Sequence, residues 1–170
     1  MTTGTSTLTQ AATDVDDALS RLVGILDQVG DGDLHLATPA GGWTAAQLIS
    51  HINLACLLWA GDMARLQADP DLTFFFREEV GHDVMGYPPP TVATAKRQLD
   101  STRRSLATCL PAVEPDVQQR TVEIPDLGTM TVAEWTPLIL GHAIGHVEQT
   151  VEVLRSRGAL PSAPAQPQDG

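Results

Sequence analysis

His142 and His146 stand four residues apart in what reads as the last long helix of the chain, and His51 lies inside an earlier helix. An imidazole buried without a hydrogen bond or a metal costs about 1–3 kcal/mol. On an α-helix, positions i and i+4 sit one above the other with Cβ atoms ~6 Å apart, so both rings can reach one ion at a metal–nitrogen distance of ~2.1 Å. A single divalent ion would satisfy all three. The pair alone leaves a second reading open, because core histidines bonded to a carbonyl or a tyrosine hydroxyl show the same spacing. His51 shifts the balance toward metal, since three of the five histidines then occupy mid-helix positions on two helices whose apolar faces turn inward.

Three neutral imidazoles would leave such an ion with its full charge and with open coordination positions, as in a catalytic site. An ion of this kind lowers the pKa of a bound water to ~7 or holds a bound thiol as thiolate. Imidazole ligation suits zinc and nickel, and also iron and cobalt. Gln149, seven residues beyond His142, would orient a ligand or substrate, or else is a polar residue at the bundle rim. Glu148 is rotated toward solvent. Gly141 and Gly145 each cost the helix ~1 kcal/mol relative to alanine. They mark either close contact with a neighbouring helix or space for a ligand beside the ion. His82, in a long loop, is a fourth ligand or an acid/base if it folds over the site, and otherwise an exposed loop residue; His35 sits in the first loop. No residue is singled out as catalytic.

Positioning these side chains requires long helices. Leu8, Ala11, Val15, Leu19, Leu22, Leu26 and Val29 repeat at helical period behind Thr7 as a cap, predicting a first helix over 8–29 closed by Gly30. Residues 31–42 read as a loop. The second helix has the strongest start signal: Thr44 as N-cap, Gln47 completing a capping box, and Trp43 stapled onto Leu48. Its apolar line runs through Leu48, Ile52, Ala55, Trp59, Met63 and Leu66 until Pro70 ends it. A connection of about twenty residues, 69–90, follows, with Phe74, Phe75, Phe76, Arg77 and Tyr87 in it. Its aromatics would cap the core or line a pocket, and its length permits a crossover between parallel helices. A third helix covers 92–110. Residues 120–132 form a short hairpin or an extended loop. The fourth helix repeats the earlier start with Thr131, Glu134 and Met130 stapled onto Trp135, and ends at Gly158. Its inward stripe is read as Trp135, Leu138, Ile139, Val153 and Leu154, with the two histidines in the middle and pointing inward. The sum is an all-α four-helix bundle over 1–160, with a disordered Pro- and Gln-rich tail over 161–170.

Composition narrows the function classes. A net charge of −11 and a pI near 4.6 repel phosphate backbones and anionic lipid, and no basic stripe offsets them. Nucleic-acid binding and a membrane role are not expected. Apolar runs break well before the ~20 residues of a membrane span, and residues 1–10 lack the basic start and apolar block of a secretory signal, so a cytoplasmic protein is expected. Cys56 and Cys109 are isolated and read as buried, inert thiols. One lysine against nine arginines hints at a G+C-rich bacterial source. Apolar residues on the first helix are compatible with a homodimer.

The pattern of Trp43-Thr44 followed by His51, a long connection, and then His142-Ala143-Ile144-Gly145-His146 with Gln149 resembles the DinB/YfiT-like superfamily of bacterial metal-binding four-helix bundles, over about residues 8–158. The resemblance implies an up-down-down-up bundle with its long crossover between helices two and three, and a metal site made by His51, His142 and His146. It also implies a function class. Understood members include thiol S-transferases using bacillithiol or mycothiol and a mycothiol-dependent maleylpyruvate isomerase. The expectation is therefore a metal-dependent enzyme that activates a low-molecular-weight thiol against an electrophilic substrate. The alternatives are a metal-dependent hydrolase and a non-catalytic metal-binding stress protein.

Overall fold

The computed structural model describes residues 4–36, 38, 42–69, 71–72, 86–124 and 128–162. Among these are four long helices: α1 (Gly4–Ile25), α2 (Ala45–Ala68), α3 (Val92–Cys109) and α5 (Val132–Ser156). Between the last two lie a short helix, α4 (Pro115–Gln119), and the strands β1 (Thr121–Ile124) and β2 (Gly128–Thr131). The expectations for His82, Phe74–Phe76, Arg77 and residues 163–170 lie outside the described residues.

Local chemistry sets the boundaries that matter. Thr44 Oγ1 accepts from the Gln47 amide at 3.2 Å while Gln47 Oε1 accepts from the Thr44 amide at 2.8 Å, so α2 starts where the capping box requires. Thr131 and Glu134 repeat this at α5. There the Thr131 amide, and then its hydroxyl, hold the Glu134 carboxyl below its ordinary range. Helix α1 departs from expectation at both ends. It begins at Gly4, with Thr7 inside the helix, because no breaker separates residues 4–8. Beyond Ile25 the chain tightens into 3-10 turns, Leu26–Gln28 and Asp31–His35, where an α-helix to Val29 and then a loop were expected. The five residues of α4 were too few to show a period. The hairpin alternative for 120–132 is correct: Thr121 pairs with Thr131 and Ile124 with Gly128, whose φ of +79° suits glycine at the turn.

Helix directions follow from pairs of contacts. Arg103 bonds Asp16 and Lys96 bonds Asp27, so α1 and α3 are antiparallel. Thr102 bonds Asn53 and the Glu114 amide bonds Gln67, so α2 and α3 run parallel. His51 meets His142 and Trp59 meets Thr136, so α2 and α5 are antiparallel. The bundle is therefore up-down-down-up, with α1 and α2 each packed on both α3 and α5.

Parallel α2 and α3 put the end of α2 and the start of α3 at opposite ends of the bundle. At the departure end, the Arg120 guanidinium donates to the carbonyls of Leu66, in the last turn of α2, and of Asp69 (2.9 Å) and Leu72 (2.6 Å) just beyond it. At the return end, Gly86 passes so close to α2 that a Cβ there would lie 3.0 Å from Ser50 Oγ, beside His51.

The core is built by Leu19, Leu22, Leu26, Leu48, Ile49, Ile52, Trp59, Met63, Leu66, Leu99 and Leu140, all fully buried. Two expectations fail here. Leu138 is 52% exposed, so it is not on the inward stripe of α5, and Tyr87 is 93% exposed and caps nothing. From Leu8 onward the apolar residues of α1 are buried or half-buried in the bundle. Cys56 is buried, and burial pushes its thiol up to about 12; Cys109 is half-buried. Among the described residues no helix is long and apolar enough to cross a membrane.

Candidate metal centre

Helix α2 delivers His51 from its second turn, and antiparallel α5 brings His142 and His146 alongside. His142 Nε2 lies 3.2 Å from His51 Nε2 and 3.0 Å from His146 Nε2. The three residues form a group whose ligand atoms lie within 4.8 Å of one another. Their rings stand nearly perpendicular in pairs: 74° between His51 and His142, 84° between His51 and His146, and 89° between His142 and His146.

The donor set fits a cation better than a proton. Each imidazole nitrogen has one in-plane site, filled by a proton or a lone pair. A proton on His142 Nε2 can bridge to one neighbour only, yet two other ring nitrogens stand within 3.2 Å. An ion among the rings uses a lone pair from each. With bonds of ~2.1 Å, two nitrogen ligands are ~3.4 Å apart at a tetrahedral angle and ~3.0 Å apart at a right angle, and the observed separations lie in that interval. Gln149 contributes from outside the ring of donors. Its Oε1 is 2.9 Å from His146 Nδ1, accepts the proton there, and leaves the lone pair of neutral His146 on Nε2. It serves His146, not the in-line His142.

The site lies at the bundle surface, where the sequence placed it in the interior. His51 is buried, His146 half-buried and His142 exposed. The reason is a rotated core stripe. The buried line of α5 is Val132, Thr136, Leu140, Ala143, Val147, Thr150 and Leu154. Thr136 and Thr150 tolerate burial because their hydroxyls donate to the carbonyls of Val132 (2.8 Å) and His146 (2.7 Å). The stripe expected from sequence includes neither threonine and runs through the histidines instead. Leu58, seven residues beyond His51 on α2, is likewise 42% exposed.

Beside the centre, Gly141 and Gly145 lie in open space: among the described residues, a Cβ at either would meet nothing within 4 Å. Close helix contact does not account for them. Glu148 is exposed and paired with Arg21. His35 is remote in role, with its Nε2 3.2 Å from the Pro90 carbonyl, which ties the first loop to the start of α3.

Sequence reading missed Trp43 as part of this site. Its indole lies 4.9 Å from the His51 ring and 5.9 Å from the His146 ring, the latter nearly stacked at 28°. A large aromatic just ahead of an N-cap can reach over the first turns of its helix, and that reach was the available signal.

Residues 14–150 match the profile of the DinB superfamily. The chain belongs to that superfamily. Among solved structures, this DinB chain is similar to YfiT from Bacillus subtilis, described as a probable metal-dependent hydrolase with an unusual four-helix bundle topology. The TM-score is 0.66 at 15% identity, over 89% of this chain and 87% of that one, a likeness of fold. No curated protein matches the chain.

Gln149→Leu removes the acceptor at His146 Nδ1 without touching a ring nitrogen that faces the cluster. We expect zinc affinity to fall ~10-fold, the lower end for loss of an outer hydrogen bond to a metal-binding histidine. Competition titration against a chromophoric chelator measures it, and unchanged affinity would show that Gln149 does not orient the ring.

Proposed function

We propose that the chain is a metal-dependent enzyme whose His51, His142 and His146 hold a divalent ion, zinc or nickel before iron or cobalt, and that it is a thiol S-transferase. One observation carries this reading: three Nε2 atoms from two helices converge while one of the three side chains, His142, stays exposed. An exposed donor leaves the centre within reach of solvent, as in a reactive site rather than a closed structural one. When bound, the ion supplies Lewis acidity that favours the ionised form of a thiol or water at neutral pH.

The chain's own residues provide the remaining functions. Gln149 fixes the His146 ring, the α2–α5 packing fixes the distance between His51 and the other two histidines, and the open flank at Gly141 and Gly145 leaves room for a small molecule. The nucleophile is a low-molecular-weight thiol, mycothiol or bacillithiol, and the second substrate is a small electrophile. Hydrolysis is the second reading, favoured by the description of the similar bundle as a probable metal-dependent hydrolase.

The test is conjugation of a chloro-dinitroaromatic or a bimane with mycothiol, bacillithiol and glutathione in turn, beside an activated ester, using zinc- and nickel-loaded protein. Thiol conjugation supports the transferase. Ester cleavage alone supports the hydrolase, and stoichiometric metal with neither reaction identifies a non-catalytic metal-binding protein.

A further inference from the structure

We infer that Trp43 is a positioning residue of the three-histidine centre, holding the His51 and His146 rings in ligating orientation. The inference rests on the metal-centre reading and deepens it.

Trp43 reaches ligands on both helices. It is 4.9 Å from His51 of α2 at a tilt of 59°, and 5.9 Å from His146 of α5 at 28°. Its own backbone is fixed by the neighbouring capping box, where Thr44 and Gln47 exchange bonds of 2.8 and 3.2 Å. A rigid start to α2 therefore projects an aromatic plate against two rings that must both turn Nε2 toward the same point. His146 is held from two sides: Gln149 at Nδ1 limits rotation in the ring plane, and the indole limits motion out of it. His142 has no ring contact with Trp43 among those described, and it is the exposed member of the set.

Two physical effects follow from this placement. Aromatic pairs in tilted and offset-stacked geometry attract beyond their burial, so the indole removes rotamer freedom from the ligand rings before an ion arrives. Cation binding then draws electron density from the imidazoles, and an electron-rich indole face favours rings polarised in this way.

The test compares wild type, Trp43→Phe and Trp43→Leu by zinc competition titration and by the visible absorption spectrum of the cobalt-loaded protein, with far-ultraviolet circular dichroism confirming the bundle. Phenylalanine keeps an aromatic face and is expected to stay within ~3-fold of wild type. Leucine keeps apolar bulk without the face, and is expected to bind ~10-fold more weakly, about the size of an aromatic pair's contribution, with a shifted cobalt spectrum. Leucine matching wild type in both affinity and spectrum would overturn the role of Trp43 and leave the centre standing. A wild-type protein that binds neither zinc nor cobalt would overturn the centre itself, and this inference with it.

Discussion

His142→Ala is expected to weaken zinc binding by more than ~100-fold with the bundle intact. Loss of a hydrogen bond to a metal-binding histidine already costs 10–100-fold, and this substitution removes a donor outright. His142 is also the point where the cluster joins, since its Nε2 is the atom within 3.2 Å of both other Nε2 atoms. Its side chain is exposed, so truncation opens no core cavity and the thermal midpoint of the metal-free protein should hardly move. His51→Ala would remove a donor too, but His51 is buried, and its loss mixes affinity with packing. The measurement is zinc competition titration beside thermal unfolding without metal. If the alanine protein bound zinc as tightly as wild type, the three nitrogens would not be a ligand set. In the wild type, an ion joining α2 to α5 should raise the unfolding midpoint, with ~4 kcal/mol of added stability when free metal is ~1,000 times Kd.

The sequence made the start of the site helices legible because the relevant physics is local. Thr44 with Gln47 and Thr131 with Glu134 satisfy the first amides of their own helices, and both starts lie where the residues place them. The triad was legible for a related reason: four-residue spacing guarantees that His142 and His146 share a face. Which way that face points depends on packing. Thr136 and Thr150 are polar by type and apolar in effect once each hydroxyl bonds back to its own helix, and this moved the core stripe away from the histidines. Gln149 was read as in line with His142 but bonds His146, because three residues of separation suits its short reach to Nδ1. Trp43 was assigned to a local staple, and its contact with His146, across to α5, depends on a tertiary distance that no local pattern encodes. The direction of the third helix, implied by the family resemblance and a long connection, is fixed in the structure by Asn53–Thr102 and Gln67–Glu114 contacts distant in sequence.

Trp59→Ala should be among the most destabilising single changes in the chain, at ~3–5 kcal/mol, the range for truncating a buried tryptophan. Trp59 is 1% exposed and lies on the face of α2 that meets α5, two turns beyond His51. Its indole Nε1 donates to Thr136 Oγ1 at 3.1 Å, and the same hydroxyl donates to the Val132 carbonyl at 2.8 Å. This contact sets the register of α2 against α5 independently of the histidines, and so fixes where His51 arrives relative to the other two. Truncation leaves a cavity, while Thr136 keeps its bond to Val132, so the loss is mainly of packing. Trp59→Phe separates the two contributions, because most of the aromatic volume remains and one hydrogen bond of ~0.5–1.5 kcal/mol is lost. Urea unfolding followed by circular dichroism gives both values. An alanine variant less than ~1 kcal/mol below wild type would show that α2 and α5 are not held together here. A large loss of stability with metal affinity unchanged at a temperature where the variant stays folded would instead separate the packing of the helix pair from the register of its ligands.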